Sequence, residues 1–173
     1  EPTISTHGLS TETSITSQDL HRLGITTKFV QDNYSRSIKN VLRGLHYQIA
    51  RPQGKLIRVV SGSIFDVVVD LRRTSPNFGK VATFVLSEQN GKLVWIPPGY
   101  AHGFLVTSDA ADVLYSVTDY RSPEHERTIL WCDPDLAINW PLMGDPPVLS
   151  EKDRIGLPFN QADIYTANFL RRK

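Results

Sequence analysis

The chain is poor in cysteine and carries almost no net charge. Cys132 is the only cysteine among the 173 residues, so no intrachain disulfide can staple the fold. Such usage is expected of a reducing compartment. Nineteen Lys and Arg stand against eighteen Asp and Glu. A balance this close supplies no broad basic face for nucleic acid or an anionic membrane, while leaving room for a small basic pocket. Long apolar runs are missing as well: the stretch 65–69 already holds Asp66 inside it, and a membrane span needs roughly 20 apolar residues. No charged leader followed by an apolar stretch opens the chain, and a cytoplasmic location is expected. Repeats, low-complexity tracts and charge blocks are absent, so residues 1–173 are expected to form one domain.

What is present reads mainly as β-structure. One short helix is signalled at 18–23, with Ser17 as N-cap and Gly24 as its stop. Strands are expected at 56–60, 63–70, 81–86, 92–96, 103–107 and 113–118, rich in Val and Ile. Gly62, Ser75-Pro76-Asn77, Asn90-Gly91, Pro97-Pro98-Gly99 and Ser108-Asp109 punctuate them. Short, evenly spaced strands imply a sandwich, jelly roll or barrel. Residues 29–141 would form it, with 1–28 as an N-terminal arm and 142–173 as a loop-rich tail in which Ser150 caps a short helix.

In the stretch from Leu42 to Gln48, strict alternation puts Arg43, Leu45 and Tyr47 on one face and Leu42, Gly44, His46 and Gln48 on the other. Gly44 permits a bulge that would bring Arg43 and His46 into one cavity. Gly91, five residues, Pro97, Pro98, Gly99, two residues and His102 resemble the second cupin motif, with Val106 where that motif ends in Asn. The Pro-Gly turn would aim His102 inward. Metal-binding cupins add an H-x-H pair and a glutamate. Here those places hold His46-Tyr47-Gln48 and Lys55, a poor donor set for a first-row metal, and no metal is expected. The remaining metal-cupin reading would be decided by metal analysis.

Several motifs in order carry a more specific resemblance. They are Gln31-Asp32-Asn33, Val41-Leu42-Arg43-Gly44-Leu45-His46-Tyr47-Gln48, Gln53-Gly54-Lys55-Leu56, Phe65-Asp66-Val67, Asp70-Leu71-Arg72, Trp95-Ile96-Pro97, Gly99-Tyr100-Ala101-His102-Gly103-Phe104, Trp140-Pro141 and Leu149-Ser150-Glu151-Lys152-Asp153. Over residues 29 to 155, roughly, the chain resembles the dTDP-4-dehydrorhamnose 3,5-epimerases. The resemblance implies an all-β, cupin-like jelly-roll barrel with short peripheral helices. It also implies a homodimer whose N-terminal arm crosses to the partner, no cofactor, and a nucleotide-linked 4-keto-6-deoxy sugar as substrate.

Such enzymes invert carbons beside a ketone, which needs a base on one face, a cation at the ketone oxygen and an acid on the other face. The resemblance gives His46 as base, Asp153 as its orienting partner, Lys55 as oxyanion donor and Tyr115 as acid. Arg43 and Lys152 would meet the diphosphate, and Glu12, His7, Gln31 and Asn33 the nucleotide end. His102 and Glu126 would lie near the sugar. Two positions depart from the family pattern: His7 replaces an arginine, and Arg121 stands where a tyrosine is usual. They imply a shift in substrate or stereochemical scope, with a mono-epimerase as one alternative and a non-catalytic sugar-nucleotide-binding cupin as another.

Overall fold

The computed structural model describes residues 5–7, 10–12, 14–142 and 144–166, with side chains from residue 14 onward. A two-strand ribbon, β1 (Ser5–His7) with β2 (Ser10–Glu12), precedes helix α1 (Ser17–Arg22). The cap of α1 is Thr16 rather than Ser17. Its hydroxyl accepts from the Asp19 N–H while the Asp19 carboxylate takes the Thr16 N–H, a reciprocal capping box. Thr16 wins because it stands three residues before an acid, and Ser17 stands three before Leu20.

Strands β3 (Gln31–Ile38), β4 (Leu42–Gln48), β5 (Lys55–Ser61), β6 (Ser63–Asp70) and β7 (Val81–Ser87) follow. Then come β8 (Leu93–Ile96), β9 (Tyr100–Val106), β10 (Ala110–Val117) and β11 (Glu126–Thr128), and lastly helix α2 (Glu151–Arg154). They form two antiparallel sheets, ordered β3-β10-β5-β8 and β11-β4-β9-β6-β7. This is the expected all-β jelly roll, and the predicted strands are present; β9 starts earlier than expected, at Tyr100.

Between the sheets lies a core of Ile57, Val59, Ile64, Val68, Leu86, Ile96, Phe104, Val106, Ala111 and Val113. The five-stranded sheet is also buried on its outer face. There Leu42, Leu45, Tyr47, Val67, Val69, Leu71, Ala101 and Leu105 pack against Ile129, Leu136, Trp140 and Tyr165 from the chain beyond β11. This two-sided burial explains the near-continuous apolar run of β6, which alternation alone would leave half polar. Polar groups tie the outer layer down: Trp140 Nε1 donates to the Trp131 carbonyl at 2.9 Å, and Tyr165 Oη to the Gln48 carbonyl at 2.6 Å.

One irregularity shapes the site. The β4–β9 register runs Leu42 to Leu105 and Arg43 to Phe104, then resumes at His46 opposite His102. Gly44 and Leu45 together face Gly103, the bulge that Gly44 suggested. Gly44 sits at φ +121°, and the two glycines nearly touch: a Cβ on Gly44 would fall 2.5 Å from the Gly103 Cα, and one on Gly103 would fall 2.7 Å from the Arg43 carbonyl oxygen. Both obstacles are backbone, which cannot swing aside. Gly103→Ala is therefore expected to lower stability by about 1–3 kcal/mol. The loss should exceed that of Gly91→Ala, whose added methyl meets open space and bears only the smaller cost of a left-handed φ of +58°. Urea unfolding of the two variants checks the ranking.

Candidate active site

The bulge lets β4 place both Arg43 and His46 on a cavity of about 470 Å³ between the sheets. Lys55 from β5, His102 from β9, Tyr115 from β10 and Lys152 and Asp153 from α2 line it as well. An adjoining recess of about 320 Å³ shares His46, Lys55, Tyr115 and Lys152 and adds Gln31, Asn33, Arg121 and Glu126. Ten of the twelve site residues expected from the sequence thus converge on one connected space. The other two, His7 and Glu12, have side chains outside the described residues.

The strongest contact joins His46 to Asp153. Nε2 of His46 lies 2.5 Å from Oδ1 of Asp153, a carboxylate only 1% exposed. The same oxygen accepts the Gly44 N–H at 3.2 Å, and Oδ2 accepts the Ser150 hydroxyl at 2.6 Å. Ser150 occupies the N-cap position of α2 but makes no side-chain cap bond; its hydroxyl serves the carboxylate instead. Burial pushes the Asp153 carboxyl up, yet the hydrogen bonds from His46 and Ser150 outweigh this and leave it below the ordinary carboxylate range. A fixed anion at Nε2 holds the proton there and leaves Nδ1 with the lone pair. Burial, helped by the cations Lys152 and Lys55, lowers the imidazole below the usual histidine value, although its bond to Asp153 works the other way. The ring is thereby kept neutral and ready to accept a proton near neutral pH.

Lys55 is held under this strand, its ammonium 3.4 Å from the His46 carbonyl oxygen. Burial brings it down to about 8, while the nearby Asp66 carboxylate resists the drop. Tyr115 is pushed up, chiefly by burial, with Arg43 and Arg121 pulling the other way. It sits opposite Asn33 in the β10–β3 register; Asn33 Nδ2 donates to its carbonyl at 3.4 Å, and Asn33 Oδ1 accepts from Gln31 Nε2 at 2.7 Å. Arg43 Nε donates to Ser37 Oγ at 3.1 Å. Arg121 grips Glu126 by two bonds of 2.7 and 3.1 Å, and Lys152 lies 3.9 Å from Glu126. The two groups come from different sheets: His46 belongs to the five-stranded sheet and Tyr115 to the four-stranded one. A ring lying between them can lose a proton on one side and gain one on the other.

Three participants escaped the sequence reading. Asp66, fully buried, lies 2.7 Å from His102 Nε2 and so orients a second imidazole at the cavity. Its signal was an acid inside the apolar run of β6. Ser35 lines the cavity with its Oγ buried and, among the described residues, without a hydrogen-bond partner, which suits it to a ligand oxygen. Continuing the alternation from Gln31 and Asn33 would have reached it. Gln48, weighed only as a missing metal donor, spends its amide on the backbone of Arg51, Tyr120 and Ser122. Among the described residues no cluster of three or more His, Cys, Asp or Glu is arranged to hold a metal ion, and no helix is long and apolar enough to cross a membrane.

Known proteins resemble this chain in sequence and fold. The family defined as dTDP-4-dehydrorhamnose 3,5-epimerase matches residues 6–161. A protein of that name from Pseudomonas aeruginosa is 56% identical over 142 residues, covering 82% of this chain and 78% of its own length. A 3,5-epimerase from Legionella pneumophila, solved in complex with dTDP-4-keto-L-rhamnose, superposes with a TM-score of 0.91 at 46% identity, covering 96% of this chain and 90% of that one. A 3'-monoepimerase from Streptomyces bikiniensis, solved with dTDP-quinovose, gives 0.88 at 27% identity, covering 98% and 88%. Fold and sequence agree, and the chain belongs to the dTDP-4-dehydrorhamnose 3,5-epimerase family.

Proposed function

We propose that this chain is a cofactor-independent sugar-nucleotide epimerase that inverts C3 and C5 of dTDP-4-dehydro-6-deoxyglucose to give dTDP-4-dehydrorhamnose. What supports the reading is that His46, bonded to Asp153, lines one cavity together with Lys55 and Tyr115. His46 Nδ1 takes the proton from the carbon beside the C4 ketone. The electron pair moves onto the C4 oxygen, and the Lys55 ammonium stabilises the resulting enolate. Asp153 stabilises the imidazolium. Tyr115 then gives its hydroxyl proton to the carbon from the opposite face. The carbon is inverted, the phenolate recovers a proton from water, and the imidazolium releases one. A second round at the other carbon completes the change.

Cations fit the remainder of the substrate. Arg43 and Lys152 flank the cavity, and a guanidinium fork suits a diphosphate. Gln31 and Asn33 would contact the nucleotide end, His102 and Glu126 the sugar. By the same family relation the molecule works as a cytoplasmic homodimer, with residues 1–28 reaching the partner and His7 and Glu12 contributing to nucleotide binding.

Incubation with dTDP-4-dehydro-6-deoxyglucose in heavy water, read by NMR, tests the reading. Deuterium at both C3 and C5 is expected. Label at one carbon alone would make the chain a mono-epimerase, and no label at all would overturn proton abstraction on this substrate. His46→Asn should slow the exchange by about 10²–10⁴-fold. Tyr115→Phe should keep the exchange while losing inversion, because His46 can still return the proton to the face it came from. The pH profile follows from the two shifted groups. His46 must be neutral, so activity falls as pH drops through a value below the ordinary histidine one. Lys55 must be charged, so activity falls again as pH rises through about 8. In Lys55→Arg, whose cation does not titrate in this range, the alkaline fall near 8 should disappear from whatever activity remains.

A further inference from the structure

Arg121 is held far more firmly than a loop arginine needs to be. It lies between β10 and β11, and the side chain of Gln48 grips the backbone on both sides of it. Nε2 of Gln48 donates to the Tyr120 carbonyl at 3.3 Å, and its Oε1 accepts the Ser122 N–H at 2.7 Å. Gln48 is itself 4% exposed and makes a third bond, to the Arg51 carbonyl at 2.7 Å. The guanidinium is then fixed by its fork on Glu126, the residue opposite Gln48 in the β11–β4 register. The Arg121 side chain remains 61% exposed, and an ion pair so open to water adds little to stability. What the clamp fixes is the position of a charge, and that charge borders the recess that contains Tyr115.

Tyr115 needs such a charge. Burial is the largest influence on its hydroxyl and opposes ionisation, so the fold by itself makes it a poor proton donor. The cations opposing burial are first Arg43 from β4 and then Arg121; Glu126 from β11 works against them more weakly. Lys55, Lys152 and His46 line the same space. Arg43 is the residue to which the diphosphate is assigned, and a bound dianion cancels its field. Arg121 lines the recess and is assigned no phosphate, and its partner Glu126 offsets only part of its field at Tyr115.

We propose that Arg121, clamped by Gln48 and Glu126, is a positioning residue for the proton return, a fixed cation that supports the negative charge left on Tyr115 when its hydroxyl proton passes to the sugar carbon. The proposal rests on the epimerase reading for its catalytic consequence only. In the step concerned, the Tyr115 O–H bond breaks, a C–H bond forms from the enolate electron pair, and the phenolate, in the recess that Arg121 borders, holds the charge until water reprotonates it. Without the cation the enolate survives longer, and His46 returns the proton to the original face more often.

Two measurements on the full chain decide it. Tyrosine labelled with carbon-13 at Cζ reports each hydroxyl by NMR, and Tyr115→Phe assigns the signal. In Arg121→Gln the Tyr115 midpoint should rise by about half a unit to one unit. In Arg121→Lys, which keeps the charge but not the fork, it should rise less. Glu126→Gln should move it downward. In heavy water, Arg121→Gln should raise the ratio of exchange without inversion to inversion by several-fold, and Arg121→Lys should restore part of it. A Tyr115 midpoint identical in wild type and Arg121→Gln overturns the proposal, as does a shifted midpoint with an unchanged exchange-to-inversion ratio. The titration needs no substrate, so absence of label in the wild type would count against the epimerase reading and leave the electrostatic result standing.

Discussion

The site depends on one carboxylate that water hardly reaches. Asp153 takes a proton donor from the backbone of the bulged strand, a second from the ring of the base and a third from its own helix start. An unpaired carboxylate at that depth would be too costly to bury, so all three partners are required. The demand links the C-terminal segment to β4, fixes where the bulge must lie, and sets which face of the His46 ring is free. Gly44 and Gly103 are the steric counterpart. Only two residues without side chains let β4 and β9 come close enough for the Gly44 N–H to reach the acid while Arg43 and His46 share a cavity.

Around this anchor the charges restrain one another. Arg43, Lys55, Lys152 and Arg121 crowd one space against Asp153, Glu126 and Asp66. Burial and like charge favour the neutral forms of His46 and Lys55, while the acids work to keep them charged. The result is an imidazole shifted toward its neutral form beside a lysine brought down to about 8. The cations outnumber the acids by one, and a net positive field in so confined a space favours an anionic ligand.

Much of this was readable in the residues. Strand spacing and the turn residues between strands gave the jelly roll, and Gly44 pointed to the bulge. The ordered motifs placed His46, Lys55, Tyr115 and Asp153 in one site, although their spread over more than a hundred residues means that no local pattern could have done so. What stayed hidden depended on packing between distant segments. The outer layer on the five-stranded sheet comes from Ile129, Leu136, Trp140 and Tyr165, whose partners period-two alternation does not specify. Asp66 behind His102, Ser35 facing the cavity and Gln48 gripping the loop around Arg121 are of the same kind. Each is an ordinary polar residue in a strand until the neighbour it meets is known. The cap of α1 was missed by one position because the reciprocal acid, Asp19, was not weighed.

The order in which the chain is made gives the Asp153 anchor a further meaning. His46, Lys55, His102 and Tyr115 all lie on strands that are complete by Thr128, whereas the group that orients the base stands 25 residues further on. During synthesis both sheets can pair while the imidazole still has no fixed tautomer or direction. Asp153 therefore reaches the Gly44 N–H and the His46 ring only once the C-terminal segment lies against β4. A chain halted before α2 would already carry Ile129, Leu136 and Trp140 of the outer layer, but would lack Tyr165 and the carboxylate that holds the His46 ring. The cover of the sheet is thus supplied mostly before the anchor of the imidazole, and both by the one segment that follows β11.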